Sequence, residues 1–578
     1  MKATESRQMA VDKTAVRPTF HRLCRVLPLV AFFISATWTL AEDPPIPTFE
    51  KTRPKGDRKF FAPLPAEKPS VPEVRMGVFR PYNPIDNFIL TALKENKKRP
   101  KRQCNDWDFA RRASLDLLGV IPTAADIADR YLKWKKDERR GKWVDLLLAQ
   151  QQYADHWTTF WGDLLREKGR IRGAPRNALK NYIHKCLQEN RPYDRWVREM
   201  LASEGRPMQK PETAFILRDR ADAADLTVTV TQTFLGMQLK CAQCHDHPFD
   251  WWTKDEFDGM AAFWRGTQAR AYKRETVFRR GNKINNPFLE VRSRQNKGKG
   301  TFLTGVTSDQ GRGTRGLADL VTRRDNPFFA RVAVNRLWKK MMGIGLVNPQ
   351  DNFSPRNKPS HPELLDWLAM EFIEHNYDLK HILRLIANSM TYQQTTTEHL
   401  ARIGRRRTEA TDQADIGQGA LYNGMLLRRM SAEQIHDSIL VATGRYLADN
   451  RRFTPSIQVT YPPAPRSFLR AFGCTDRETL QERNTAGGIQ QALTLLNGDL
   501  INDAVMMHQD HPIEYWRKQR RFNTNQTVEA LFVQVLTRQP TQRERAMALR
   551  FLAGGQRDSS WEDLQWALLN TREFQFIR

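Results

Sequence analysis

The sequence predicts a mainly α-helical protein: two helical domains joined by a short basic linker that carries a small β-hairpin. Three observations carry that reading. Apolar residues recur at helical spacing through most of the chain from Pro84 onward. Helix-start signals of the capping-box type recur in the second half. Between the two, from Lys273 to Thr314, the periodicity lapses into a basic stretch rich in Gly and Asn, with β-like pieces such as Phe288-Leu-Glu-Val291. A chain of 578 residues also exceeds what one core usually serves.

Residues 1–41 read as an export signal, with Arg17, Arg22 and Arg25 ahead of an apolar run from Val26 to Leu40 and a small-residue pattern, Thr39-Leu40-Ala41, before Glu42. That run is short for a membrane span. No later stretch is apolar enough to cross a bilayer, so the mature protein is expected to be exported, to the periplasm or cell surface, with no spanning membrane segment after signal cleavage. Residues 42–83, rich in Pro and Lys, read as a flexible lead-in.

The first helical domain is expected over 84–270. Ile85, Phe88, Ile89, Ala92 and Leu93 mark one helix, and Phe109, Ala113, Leu115 and Leu118 mark a second that stops at Gly119. Thr123 is the expected N-cap of a third, with Asp126 three residues on. Trp143 to Leu148 and Trp157 to Leu165 continue the pattern, and Trp134, Trp143, Trp157, Trp161 and Trp196 are read as core. Thr227-Val-Thr-Val-Thr231 alternates with period two and alone reads as a strand. Phe234, Leu235, Met237 and Leu239 alternate poorly, so helix and strand both stay open there.

After the linker at 271–314, the second domain occupies 315–578. Asn326-Pro327 opens a helix through Phe329, Val332, Ala333 and Leu337 to Gly343. Ser360-His-Pro-Glu363 reads as a capping box, placing His361 in a structural first turn. Leu379, Ile382, Leu383 and Ile386 form the next stripe, and further boxes stand at Ser431-Ala-Glu-Gln434 and Thr541-Gln-Arg-Glu544. Val528, Leu531, Phe532, Val535 and Leu536 make another stripe. This half carries no evident chemistry.

The chemically informative stretch is Cys241-Ala-Gln-Cys-His-Asp-His-Pro248, followed by Phe249, Trp251, Trp252, Phe257, Phe263 and Trp264. C-x-x-C-H is the spacing of c-type haem attachment: two thiols for the vinyl groups and the adjacent His for the iron. The aromatic residues are candidates for a dry pocket wall. The same residues, Cys241, Cys244, His245 and His247, also suit zinc or another transition metal, with Asp246 or Asp250 as supporting carboxylate. A Cys241–Cys244 disulfide is a third reading. Removal of the signal, with Cys24, leaves five cysteines, an odd number and too few for a disulfide scaffold.

Lys and Arg number 92 against 65 Asp and Glu, a formal charge of +27. Such a surface favours polyanions: acidic polysaccharide, anionic lipid or nucleic acid. The basic clusters, among them Lys97-Lys98-Arg99, Lys135-Lys136, the Arg274 to Lys299 segment, Arg405-Arg406-Arg407 and Arg517 to Arg521, are dispersed, and no base-reading motif accompanies them. Nucleic acid is therefore not expected as a partner. No Ser/His/Asp order, phosphate loop or nucleotide fingerprint is legible.

Phe234-Leu-Gly236, Cys241-Ala-Gln-Cys-His-Asp-His-Pro-Phe-Asp250, Trp252-Thr253 and Ala261-Ala-Phe263 resemble the planctomycete-type cytochrome-like domain, as do Ile85-Asp86, Arg111-Arg112, Asp116-Leu117, Gly119 and Pro122-Thr123 upstream. Asp325-Asn-Pro-Phe-Phe-Ala330, Asn335-Arg336, Trp338, Pro359-Ser-His-Pro-Glu-Leu-Leu365, Glu482-Arg483, Gln491-Ala492-Leu493 and Leu496-Asn497 resemble the domain of unknown function that usually follows it. The resemblance spans residues 84–575. It implies a cytochrome-like haem site, though the chain has no second C-x-x-C-H where many such proteins carry one, and Trp251 stands where Arg is common. Relatives of this kind are associated with bacteria that degrade complex, often sulfated polysaccharides.

Three functional readings follow. In the first, an exported c-type haem redox protein, Cys241 and Cys244 attach the haem, His245 ligates the iron, Trp252 walls the pocket, Met237 and Met260 are candidates for the distal ligand, and a redox partner protein is required. The second is a structural or hydrolytic metal site at Cys241, Cys244, His245 and His247. The third is a non-catalytic surface protein that binds acidic or sulfated polysaccharide.

Overall fold

A computed structural model describes residues 64–248, 250–279, 282–294, 299–305, 312–354, 357–396, 420–446, 453–480, 483, 487–519, 522–555 and 557–578. The expected export signal, the first part of the lead-in, Phe249 and Arg405-Arg406-Arg407 lie outside these residues.

The described chain is mainly α-helical, with two small antiparallel two-stranded sheets. In the first half the principal helices are α1 (Pro84–Glu95), α2 (Asp106–Leu118), α3 (Arg139–Ala149), α4 (Gln151–Leu164), α5 (Ala178–Gln188), α6 (Tyr193–Leu201), α7 (Ala214–Arg218), α8 (Ala223–Leu235) and α9 (Lys254–Ala261). Strands β1 (Thr267–Arg279) and β2 (Asn282–Ser293) form the hairpin, starting earlier than composition suggested. Beyond it come α10 (Gly313–Thr322), α11 (Phe329–Met342), α12 (Pro362–Glu374), α13 (Leu379–Ala387), the short strand β3 (Arg428–Arg429) and α14 (Ala432–Ala442). Further helices include Ile489–Asn497, Thr524–Leu536 and Gln542–Ala553, and a terminal strand, Phe576–Ile577, pairs with β3.

Local chemistry explains most of these limits. Asn83 caps α1 with a reciprocal bond to Asp86, and Pro84 fits the first turn because that turn needs no N–H. The boxes at Ser431 and Thr541 form as the sequence predicts. The box at Ser360 does not: α12 begins one residue later, His361 occupies the cap without a side-chain bond, and the Ser360 hydroxyl instead meets His361 Nδ1 at 3.1 Å. Burial pushes the His361 imidazole down to about 4.

The strand expected at Thr227–Thr231 is the middle of helix α8. Asp222 caps it, accepting from the amides of Ala224 and Asp225, and the threonine hydroxyls turn back onto the preceding turn, Thr227 onto Ala223 O at 2.7 Å and Thr231 onto Thr227 O at 2.8 Å. These bonds absorb the polar groups of β-branched residues within a helix, and burial on nearly every side overrides their strand preference.

The halves interlock rather than sit apart, and residues 53–578 form one compact unit. Asp86 is fully buried and accepts from Met390 N at 2.8 Å and from Thr391 N and Oγ1 at 2.9 and 2.7 Å. Helix α2 is buried from Phe109 to Leu118 and carries three charges into the interior. Arg111 donates to the carbonyls of Val535 and Phe574, Arg112 to those of Tyr392, Gln394 and Arg578. Asp116 takes the Tyr392 hydroxyl at 2.7 Å and both terminal nitrogens of Arg428 at 2.9 and 2.7 Å. Gly119 ends α2 in the left-handed region at φ 76°, and a Cβ there would meet His156 Nδ1 at 2.3 Å, so only glycine serves.

Tryptophans 143, 157, 161 and 196 are core as expected, and Trp134 packs at the core's edge. The hairpin is anchored to the first half: Gly205 and Val291 exchange backbone bonds at 2.8 and 2.9 Å. Part of the lead-in is also docked, since Lys68 pairs with Glu371 and Glu374 and lies 4.6 Å from the centre of the Trp367 ring.

A second buried ionic cluster joins α4 to the C-terminal half. Arg477 donates to Asp163 at 2.8 Å and Glu167 at 2.5 Å, and Arg483 to Asp163 at 2.6 Å and to Glu433, which also takes the Tyr461 hydroxyl. Burial alone would raise the Glu433 carboxyl, but the Arg483 guanidinium outweighs it and holds the group far below its ordinary value.

Two outcomes are expected. Asp116→Ala leaves Arg428 buried without its carboxylate, so the unfolding free energy should fall by about 3–5 kcal/mol in denaturant titration, the cost of breaking a buried pair. Glu433 has a depressed folded pKa, so its stabilisation is present above its ordinary value of 4.5 and lost as pH falls below it. The stability difference between the wild type and Glu433→Gln should therefore shrink on acidification from pH 5, and a constant difference would refute the assignment.

Candidate functional site

Helix α8 delivers the chain to the site. It stops at Gly236, φ 68°, where a Cβ would strike Phe353 at 2.6 Å and Val332 at 2.9 Å. Met237 donates its amide back to Thr231 O, Leu239 is buried, and a single 3₁₀ turn runs from Lys240 to Gln243. Within that turn Ala242 points inward and is fully buried, while Cys241, Gln243 and Cys244 are exposed. A buried alanine between them thus holds both thiols on the solvent side.

The structure has both sulfurs as free thiols, so the disulfide reading is not realised. The other described cysteines, Cys104, Cys186 and Cys474, are buried, and burial pushes Cys186 and Cys474 up to about 12. A thiol held that high is neither a nucleophile nor a ligand near neutrality. Among the described cysteines, only Cys241 and Cys244 are exposed.

The two histidines next in sequence differ in proton arrangement. His245 is exposed, and its Nδ1 lies 2.7 Å from the carbonyl oxygen of Asp246. A carbonyl only accepts, so Nδ1 carries the proton and Nε2 keeps the lone pair. His247 is half-buried, and its Nδ1 accepts the Asp250 amide at 2.9 Å, so the neutral ring carries its proton on Nε2. Burial lowers its pKa, with Asp250 opposing and the nearby His245 adding to the shift.

The rest of the segment is scaffolding. His247 donates its amide to Trp252 O at 2.8 Å, Asp246 accepts the Lys254 amide at 2.9 Å, and Asp250 accepts the Trp251 amide at 2.9 Å. Thr253 and Glu256 form the capping box that opens α9. Both aspartates considered as supporting carboxylates are thus engaged in building the loop. Trp252 at 2% exposure, Phe257, Phe263 and Trp264 belong to the core, as do Met237 and Met260 at 1% each. These residues support the loop from beneath. Trp252 and both methionines are thus buried side chains in the structure.

Among the described residues, one group of three His, Cys, Asp or Glu side chains has its ligating atoms all within 4.8 Å, and it lies elsewhere: Glu371, His375 and His381. The imidazoles stack at 3.7 Å, and Glu371 Oε1 lies 2.8 Å from His381 Nε2. Lys68 already neutralises that carboxylate. Sequence reasoning passed over this group because its members straddle the end of one helix and the start of the next, with no motif spacing.

No helix among the described residues is long and apolar enough to cross a membrane. Neither a curated protein nor a solved structure matches the chain. Residues 84–269 match the family model PSCyt2, a protein of unknown function (DUF1549), and residues 313–552 match PSD1, a protein of unknown function (DUF1553). The two matches stand in the order of the planctomycete cytochrome-like domain and partner domain that the sequence resembles, and both are described as of unknown function.

Proposed function

We propose that this is an exported redox protein that carries a covalently attached haem c at Cys241 and Cys244, with His245 as the iron ligand. The observation that carries the reading is the state of His245. Its Nδ1–H is spent on the Asp246 carbonyl, which fixes the ring and leaves the Nε2 lone pair available, the tautomer an imidazole needs to bind a metal. The donor set fits the group: two accessible thiols one turn apart and a correctly protonated histidine immediately after them.

Haem, when bound, supplies one-electron chemistry. The protein's share is positional. Ala242 keeps the sulfurs outward, the Asp246 carbonyl orients His245, and the bonds from Trp252 O and Lys254 N keep the loop from turning over. A surface position suits exchange of electrons with a partner protein better than chemistry in a closed pocket. The charge of +27 supports an acidic or sulfated polysaccharide as the material the protein works on or near.

The metal reading is less well supported. A four-ligand site needs His247, whose Nδ1 is already engaged by the Asp250 amide and whose Nε2 carries the proton. Zinc would have to break that bond or change the tautomer.

Production in a host that exports proteins and attaches haem tests the proposal. The expected product shows a reduced c-type spectrum and a mass increased by one haem, and Cys241→Ala/Cys244→Ala loses both. His245→Ala should keep the added mass and change the spectrum. A colourless product of unmodified mass would overturn the haem assignment, and zinc in that product would favour the metal site.

A further inference from the structure

The root of the β1–β2 hairpin turns one face to the core and the other to solvent. Side chains alternate across a strand, so Thr267, Ala269 and Ala271 of β1 share a face with Leu289, Val291 and Ser293 of β2. That face is small and largely apolar; Val291 is buried, and Leu289 lies so close to Gly173 that a Cβ there would meet its Cγ at 2.3 Å. Gln268 and Arg270 share the opposite face with Phe288, Glu290, Arg292 and Arg294. All three of these arginines are exposed.

The register shifts between Ala271 and Lys273, which makes Tyr272 the extra residue of a bulge. Its ring comes 6.2 Å from that of Phe288. The Arg206 guanidinium lies 4.4 Å from the centre of the Tyr272 ring and 3.6 Å from Glu290, which brings it onto the same face. Glu290 is buried beneath and also pairs with Arg292. One carboxylate thus orients two arginines whose side chains remain 51% and 64% exposed. The face holds four arginines, this one acid and two half-buried rings.

The charge is concentrated as well as exposed. In the sequence, residues 265–299 hold eleven Lys and Arg against two Glu, a net +9, which is a third of the chain's +27. Guanidinium groups grip sulfate and carboxylate oxygens through paired bonds, so arginines gathered in this way select those anions. Arg292 and Arg294 stand two residues apart on one strand, a step of about 7 Å, which suits a linear polymer with repeating charges. The rings decide which polymer. Tyr272 and Phe288 offer apolar ring faces to the C–H edges of a sugar. A bilayer is met by protruding apolar groups, whereas these rings are half-buried among more exposed arginines.

We infer that the outer face of the hairpin root is the docking surface for a linear acidic polysaccharide, with its sulfate or carboxylate groups on Arg206, Arg270, Arg292 and Arg294 and a sugar ring against Tyr272 and Phe288. The inference rests on the reading that an acidic polysaccharide is the material the protein works on or near. It is independent of whether Cys241 and Cys244 carry haem.

The test titrates the full chain calorimetrically with dextran sulfate, polygalacturonate and neutral dextran, and uses single-stranded DNA and phosphatidylglycerol vesicles as competitors at equal charge. At least one of the two polyanions should bind and neutral dextran should not, and which one binds distinguishes a sulfated from a carboxylated ligand. Arg270→Gln/Arg294→Gln should weaken that polymer about tenfold or more and lower the slope of log Kd against log salt by about 1.5. Tyr272→Ala should weaken it about fivefold with the salt slope unchanged. Lys135→Gln/Lys136→Gln, the same loss of charge at another exposed cluster, should leave the affinity within twofold. No binding of either polyanion would overturn both this surface and the polysaccharide reading. Equal losses in the two charge variants would overturn the surface alone, and displacement by DNA or vesicles would overturn the choice of a saccharide.

Discussion

Helix α2 sets the terms for the whole molecule. An arginine pair and an aspartate in the middle of a helix would normally mark a solvent face, yet Arg111, Arg112 and Asp116 are all buried. Charges so placed must be paired or fully hydrogen-bonded, because the desolvation they suffer is otherwise uncompensated. Here the partners are backbone carbonyls at 392, 394, 535, 574 and 578 and the Arg428 guanidinium, all from the second half of the chain. The first helical region is thus built around sockets for the second. Packing the two elsewhere would leave three charges stranded.

That arrangement gives physical content to pieces of sequence that otherwise look unremarkable. Asp86 meets Met390 and Thr391, Arg336 reaches the Thr233 and Gln232 carbonyls, and Gly236 admits Phe353. Each joins a residue of the region matched by one family model to a residue of the region matched by the other. The pairing of the two domains in one chain is accordingly an intimate packing, more like the halves of a single core than beads on a string.

Periodicity and punctuation made much of the fold legible. Helix α1 with its Pro84, α2 with its Gly119, α11 with its Gly343 and the boxes at Ser431 and Thr541 all rest on local chemistry, and local chemistry is written in neighbouring residues. The failures share a cause. Thr227 to Thr231 has a strand's alternation, but the decision was made by Asp222 at the cap and by burial, and burial is a property of the assembled chain. His361 took the cap from Ser360 through a shift of one residue that the motif could not resolve. At the site, the C-x-x-C-H spacing is written in neighbouring residues, whereas the tautomers that separate His245 from His247 depend on a carbonyl and an amide that any residue possesses.

The sockets on α2 also constrain how the molecule comes into being. A chain made from its N-terminus presents Arg111 and Arg112 long before residues 535 to 578 exist to receive them. Until those residues arrive, the first helical region holds a buried face with no place for its charge, and the entropy of closing loops of several hundred residues is still to be met. The stretch with the exposed thiols sits in that same early region. Cys241 and Cys244 therefore arise on a chain whose core is completed only once residues 535–578 have been made.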